Sequence, residues 1–313
     1  MRAIILKKPG ITDNFQYCEI PRPDIEAGEV LVKVHSISIN PVDVKTRLGG
    51  GAFLYADLSQ EKEIILGWDI SGTITASESP LFKVGDDVFG MVNFPHLGRA
   101  YAEYVAVAAE QLVLKPSTIT HEEAAGATLA LLTAWQHLVE HAKVKAGERV
   151  LINAASGGVG HYAVQIAKYL GAYVIGTSSA ANRDFILALG ADEHIDYQTQ
   201  ILNEATGDID VVLAAMGKED IRKAIEVTKS GGRVVSIVSQ FTGELRTLAD
   251  GKSITGDFYP VHLSSTDMQK LANFLDEGTL KSVVSKVFSF DQMAEAHQHI
   301  ESGRTVGKIV VNV

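Results

Sequence analysis

Ala155-Ser156-Gly157-Gly158-Val159-Gly160 follows a short apolar run, Val150-Leu151-Ile152-Asn153-Ala154, and opens an amphipathic stretch that continues to about residue 170. Gly157 and Gly160 occupy the second and third glycine positions of a G-x-G-x-x-G turn, with Ala155 at the first. Small residues are required there for mechanical reasons. A side chain at the second position obstructs the approach of a pyrophosphate to the backbone, and one at the third pushes the helix off the strand. The free amides and positive dipole end of the following helix then make an anion site without a dedicated Lys or Arg. The same glycines also suit an ordinary tight strand-to-helix turn, so the flanking elements carry the weight of the assignment.

Working outward, the chain after residue 150 alternates strand-like and helix-like runs. Strands are expected near residues 150–154, 172–177, 194–196, 210–215 and 233–239, with helices over 159–170, 181–189 and 221–228. Alternation of this kind, with short continuous apolar strands, predicts a parallel sheet covered on both faces, an α/β doubly wound arrangement. The first 115 residues or so read differently. VLVKVHSISI (residues 30–39) alternates with period two, as a half-buried strand does, and further β-like runs sit at 64–76, 87–92 and 101–107. Thr120 with Glu123 forms a capping-box pattern at the head of an Ala/Leu-rich helix expected to run to about His141. The tail is expected to form helix 268–276 and strands near 283–290 and 308–313, and to pack back on the N-terminal region.

The strand after the glycine turn bears on which dinucleotide fits. An NAD site usually carries Asp or Glu about 20 residues on, bonded to the ribose 2′-hydroxyl. Here the strand ends in Thr177-Ser178-Ser179, with no carboxylate before Asp184, so repulsion of a 2′-phosphate is absent. Arg183 can pair with a phosphate through its planar fork. These residues favour NADPH over NADH. An arginine lying on a solvated helix face is the plainer reading of Arg183 alone.

Composition narrows the remaining classes. The 313 residues suit about two domains, and 46% hydrophobic with 21% charged residues is a globular composition. A net charge of −10 opposes the footprint of a nucleic-acid binder. The single cysteine, Cys18, excludes an intrachain disulfide and any multi-cysteine metal site, and is expected to be a small core residue. The N-terminal apolar stretch is too short for a signal peptide and residues 124–135 fall well short of a membrane span, so a cytoplasmic protein with no membrane partner is expected. His137-Leu138-Val139-Glu140-His141 matches H-x-x-E-H, an inverted zinc-peptidase pattern. The expectation here is two partly solvated histidines near a helix C-terminus, where the dipole favours their charged form. His297-Gln298-His299 is read in the same way, and no metal site is expected.

Taken together, NPVD (residues 40–43), GWDISGTI (67–74), FKVGDDVFG (82–90), YAEYV (101–105), AAGATLALLTAW (124–135), the segment 144–172 around the glycine turn, GADEHIDY (190–197), GGRVVSIVS (231–239) and GKIVVNV (307–313) resemble the medium-chain dehydrogenase/reductase superfamily. Within it the chain looks like the zinc-independent quinone oxidoreductase, or zeta-crystallin-like, branch, and the similarity covers nearly the whole length. That resemblance implies a GroES-like catalytic domain over residues 1–122 completed by a return segment at 263–313. It implies a Rossmann-type NADPH-binding domain over 123–262. Zinc-dependent members carry a Cys early in the first domain and a His-Glu pair after a glycine. The corresponding places here hold Asn40-Pro41-Val42-Asp43 and Gly67-Trp68-Asp69. Without zinc to act as a Lewis acid, the expected reaction is hydride donation to an electron-poor quinone or α,β-unsaturated carbonyl, with the cofactor carrying the chemistry.

Residue by residue, the resemblance implies that Asn40 lies beside the nicotinamide and that Thr133 bonds the cofactor near its phosphate or nicotinamide ribose. Ser156, Gly157, Gly158 and Val159 would cradle the pyrophosphate. Ser178, Arg183 and Tyr197 would surround the 2′-phosphate, and Val238 and Ser239 would face the nicotinamide end. Tyr55 is a candidate proton donor, in a segment, GGGAFLYADLSQEKEII, that departs from the family pattern. The alternatives are an enoyl-thioester reductase of the same fold and an NADPH-binding protein without turnover. A homodimer is the assembly that the resemblance implies.

Overall fold

A computed structural model describes residues 1–54 and 63–313. Along the chain come β1 (Arg2–Leu6), β2 (Phe15–Glu19), β3 (Glu29–Ser38), α1 (Pro41–Arg47), β4 (Asp69–Ser77), β5 (Asp87–Met91), β6 (Tyr104–Ala108), β7 (Val113–Leu114) and α2 (His121–Gly126). Next are α3 (Leu129–Trp135), β8 (Arg149–Ile152), α4 (Gly160–Tyr169), β9 (Tyr173–Ser178), α5 (Arg183–Ala188), β10 (Glu193–Asp196), α6 (Leu202–Ala205), β11 (Ile209–Ala214), α7 (Lys218–Val227), β12 (Thr228–Ser236) and α8 (Glu244–Gly251). The tail adds α9 (Ser265–Asp276), β13 (Val284–Ser289), α10 (Met293–Glu301) and β14 (Lys308–Asn312). Two units result: Met1–Ala130 with His262–Val313, and Leu131–Val261.

In the first unit a seven-stranded sheet runs β13-β14-β3-β4-β5-β7, with β6 also paired to β3, and β1 and β2 form a separate hairpin. The tail returns through β14, whose Val310, Val311 and Asn312 pair antiparallel with Ser38, Ile37 and Ser36. Alternation in β3 buries Val30, Val32 and Val34 against one face. A bulge then intervenes, because Val34 pairs with Gly72 and Ser36 with Ser71, leaving His35 as the extra residue. Bulges bend a strand and re-aim the side chain they carry. Cys18, expected in the core, is only half-buried on the β1–β2 hairpin and faces the Ala3 carbonyl.

The second unit holds a five-stranded parallel sheet in the order β10-β9-β8-β11-β12. It is the Rossmann-type arrangement, and winding reverses between β8 and β11, the position where such sheets bind ligands beyond their strand ends. Leu151, Ile175 and Val212 of the sheet pack with Ile221 and Ile225 of α7 in one apolar core. The expected single helix over 120–141 is instead broken. Thr120 and Glu123 do cap α2 reciprocally, but α2 ends at Gly126 and the buried Asp69 carboxylate accepts the Leu129 amide at the start of α3. Residues 136–141 then widen into a π-helical turn.

Between β8 and α4, Ala154 takes a left-handed φ of 51°. A Cβ built on Gly160 would stand 2.1 Å from the Ala154 carbonyl oxygen, whereas one on Gly157 would meet that oxygen at 3.2 Å. The two glycines therefore serve different ends: Gly160 permits the helix to pack, and Gly157 keeps the outer side of the turn open. Gly160→Ala should lower the unfolding free energy by about 1–3 kcal/mol, the range for overpacking, in urea titration. Gly157→Ala should cost well under half as much, and equal losses would contradict this division.

Candidate active site

In the Leu131–Val261 unit, Val159 precedes α4 with no side-chain cap. Helices usually begin after Ser, Thr, Asp or Asn for this purpose. The turn is tied from within, Gly157 N–H donating to Ala154 O at 2.9 Å and His161 N–H to Gly157 O at 3.0 Å. Ala155 N–H donates to Thr177 O on β9. Gly157, Gly158 and Val159 stay partly exposed at this end, so the turn offers backbone donors to an anion. Ser156 is nearly buried, and its Oγ accepts from Asn182 Nδ2 at 3.1 Å. Asn182 thereby links the turn to the segment beyond β9, a contact between residues 26 positions apart that no local motif signals.

Ser178 ends β9, its Oγ donating to Ser179 O at 2.9 Å and lying 3.1 Å from His194 Nε2. Arg183 opens α5, 60% exposed, with Nη1 3.1 Å from an almost fully exposed Asp184 carboxylate. Such a surface pair contributes little and exchanges partners readily. Tyr197 follows β10, is 64% exposed and donates its amide to Ser178 O. Ser178 is thus joined to Tyr197 through the backbone, while Arg183 lies on the helix that follows β9. Val238 and Ser239 follow β12, both amides donating to Ser236 Oγ. Thr133 is buried on α3, where its carbonyl meets His137 Nδ1 at 2.7 Å.

The H-x-x-E-H expectation needs correction. His137 is 1% exposed, and burial pushes its pKa down to about 4, so it is neutral rather than charged. His141 stacks on Tyr259 at 3.8 Å between ring centroids. His137 alone departs from the expectation, because it is buried; His141 stays partly exposed in the last turn of the helix, with one face covered by Tyr259. His297 departs from expectation in the same way: it is fully buried, with its pKa pushed down to about 3 by desolvation.

In the first unit Asn40 is buried, with both ends of its amide engaged. Nδ2 donates to Asp69 Oδ2 at 2.7 Å, and Lys308 Nζ donates to Oδ1. Lys308 is 3% exposed and 4.0 Å from Asp69. Desolvation lowers the lysine's pKa and raises that of Asp69, while their mutual attraction opposes both shifts. Asn40 N–H donates to Asp43 Oδ2 at 2.8 Å, and Tyr101 OH donates to Asp43 Oδ1 at 3.0 Å. Burial and the nearby Asp69 raise the pKa of Asp43 to about 7. His297 Nε2 lies 2.8 Å from the Tyr101 hydroxyl, while its Nδ1 has no protein partner among the described residues. An Nε2–H tautomer donating to Tyr101 leaves only a lone pair unmatched, which costs less than an unmatched N–H. Sequence reasoning missed Asp69, Lys308, Tyr101 and His297 as companions of Asn40. A lysine heading the otherwise apolar strand KIVVN was the available signal. Trp68, at a position the resemblance assigns to a zinc ligand, is fully buried and donates its indole N–H to His96 O. Tyr55 lies outside the described residues.

Residues 26–117 match the GroES-like domain of alcohol dehydrogenases, and residues 189–311 match a family described as zinc-binding dehydrogenase. The chain belongs to the medium-chain dehydrogenase/reductase superfamily. It is 31% identical over 93% of its length to 2-methylene-furan-3-one reductase of Solanum lycopersicum, covering 73% of that protein. It is also 31% identical to an NADPH-dependent alkenal/one oxidoreductase of Arabidopsis thaliana, over 92% of this chain and 73% of that one. A quinone oxidoreductase from Coxiella burnetii superposes with a TM-score of 0.94 at 32% identity, covering 100% of this chain and 99% of the other. This member of the superfamily is therefore an oxidoreductase, with a Rossmann-type sheet and a GroES-like domain.

The buried histidine supplies a pH prediction for the enzyme. The folded pKa of His297 lies below its unfolded value near 6.5. Its contribution is therefore present above pH 6.5 and is lost as pH falls toward 3, because the unfolded chain binds the extra proton. One such group gives a slope of at most about 1.4 kcal/mol per pH unit. Urea midpoints between pH 4 and 7 should show a shallower acid decline in His297→Gln than in the unmodified protein; an unchanged slope would contradict the buried neutral state.

Proposed function

We propose that this oxidoreductase uses NADPH to reduce a quinone or another α,β-unsaturated carbonyl, with no zinc in the reaction. The glycine turn at the switch of the parallel sheet, followed by a strand end that presents Ser178 instead of a carboxylate, is the observation that carries the reading. Bound NADPH supplies the hydride. The amides of Gly158 and Val159 and the turn around Ser156 and Gly157 would hold its diphosphate, while Ser178, Arg183 and Tyr197 would meet the 2′-phosphate. Thr133, Val238 and Ser239 would contact the nicotinamide half. Asn40, its amide held by Asp69 and Lys308, is the residue that the resemblance assigns to the nicotinamide.

The residues present do not fit a catalytic zinc at the position the wider superfamily uses. Asn40 stands in place of a thiolate and Trp68 in place of an imidazole, and zinc sites are built from Cys, His and carboxylate donors. Lys308 also places an ammonium beside Asn40 and Asp69, and a divalent ion there would meet like charge in a medium of low dielectric. An acceptor that needs no Lewis acid must already be electron-poor, which selects quinones and enones over simple ketones. The names of the two reductases and the quinone oxidoreductase above support that class.

Absorbance at 340 nm should fall when NADPH is mixed with the protein and a naphthoquinone or an enone, and should remain steady with a simple ketone. Preferential turnover of a crotonyl thioester would replace this reading with an enoyl-thioester reductase, and turnover abolished by a chelator would overturn the zinc-independent chemistry. Arg183→Ala should weaken NADPH binding by about 1–3 kcal/mol, as for loss of a charge-assisted contact, with NADH binding nearly unchanged. Equal losses for the two cofactors in calorimetry would defeat the 2′-phosphate assignment.

A further inference from the structure

Four elements of the first unit bring together a set of side chains that neither the glycine turn nor the Asn40 network uses. His35 projects from the bulge in β3, Thr73 and Ser71 from β4, Asp87 from the start of β5 and His121 from the first turn of α2. One donor atom each from His35, Asp87 and His121 lies within 4.8 Å of the other two. The two imidazoles face each other at 4.5 Å between centroids.

Hydrogen bonding decides which atoms point inward. Ser71 Oγ donates to Val88 O, so the His121 Nδ1 beside it, at 2.8 Å, carries the proton and donates to Ser71. His121 Nε2 is then left with a lone pair, and it stands 3.7 Å from Asp87 Oδ2. Two acceptors thus confront each other across a gap that suits a cation. Thr73 Oγ1 donates to the other carboxylate oxygen, Asp87 Oδ1, at 2.6 Å, and lies 2.9 Å from His35 Nε2. Metal-binding histidines characteristically donate their second ring N–H to a neighbouring acceptor, and ligating carboxylates are held by hydrogen bonds in the same manner. Ser71 and Thr73 already occupy those supporting positions.

We propose that His35, Asp87 and His121 form a binding site for a divalent first-row transition ion, with zinc the best match to two imidazoles and one carboxylate. Tetrahedral ligands about 2.0–2.1 Å from zinc stand about 3.3 Å apart, so small side-chain rotations close the cluster. Water completes the coordination, since Asp87 is 45% exposed. A bound ion would clip β3 and β5 to α2. The site is separate from the position of the superfamily's catalytic zinc and does not depend on the NADPH reading.

Zinc sulfate titrated into metal-free protein should bind in calorimetry with one equivalent and raise the thermal midpoint. Cobalt substituted for zinc should give the visible absorption of a low-symmetry site. Asp87→Asn and His121→Gln should each weaken binding at least about tenfold, and Ser71→Ala, which removes only a supporting contact, about 10–100-fold. Far-UV circular dichroism and the urea midpoint without metal serve as controls that each variant is folded. No binding at millimolar zinc, or binding of unchanged affinity in folded Asp87→Asn and His121→Gln, would overturn the proposal and leave the cluster a hydrogen-bonded surface network.

Discussion

The carbonyl oxygen of Ala154 occupies the space that a side chain at position 160 would need. Because that position is bare, α4 begins directly against the end of β8, and because Gly157 is bare as well, the outer side of the turn faces no methyl group. One steric constraint thus brings a helix start, with its unmatched amides, to the place where the winding of the sheet reverses. A helix start of this kind is suited to an anion through backbone geometry alone. The side chains after β9 are then left to distinguish among dinucleotides, the role proposed above for Ser178, Arg183 and Tyr197.

The first unit solves a different electrostatic problem. Asp43 and Asp69 are both buried, and two carboxylates out of water are costly unless matched. Lys308 arrives from the last strand to supply the counter-charge, and its pairing with Asn40 fixes the amide that also binds Asp69. Asp43 is matched differently, by the Asn40 amide and the Tyr101 hydroxyl, and its raised pKa reflects desolvation first and the nearby Asp69 second, which those hydrogen bonds and Lys308 only partly offset. The returning tail therefore does more than complete a sheet. It delivers the buried ammonium that binds Asn40 and stands beside Asp69.

The His35–Asp87–His121 cluster shows how a fold can collect donors that sequence spacing conceals. Pairing of Thr73 with Asp87 in the β4–β5 ladder sets one edge of the cluster. His35 keeps the less buried side of the β3 alternation, and the bulge falls at this residue. The capping box at Thr120 and Glu123 then fixes the start of α2, and with it the direction of His121. Each of these devices is local, yet only their packing in one sheet makes the three donors neighbours.

Much of the architecture was written locally. The period-two alternation of β3, the capping box of α2, the apolar strands around the glycine turn and the absence of a carboxylate before Asp184 all depend on residues a few positions apart, where backbone sterics and hydrophobic period act directly. What sequence alone could not resolve depends on contacts across long separations. The break before α3 arises because Asp69 accepts the amide of Leu129, 60 positions away. His137 and His297 look like solvated helix histidines by pattern, but packing removes their water and with it their charge. Lys308 is buried beside Asn40 only once β14 has paired with β3. Side-chain period reports which face of an element is apolar; the dielectric and partner that a buried polar group meets are properties of the assembled unit, and these were decided only in three dimensions.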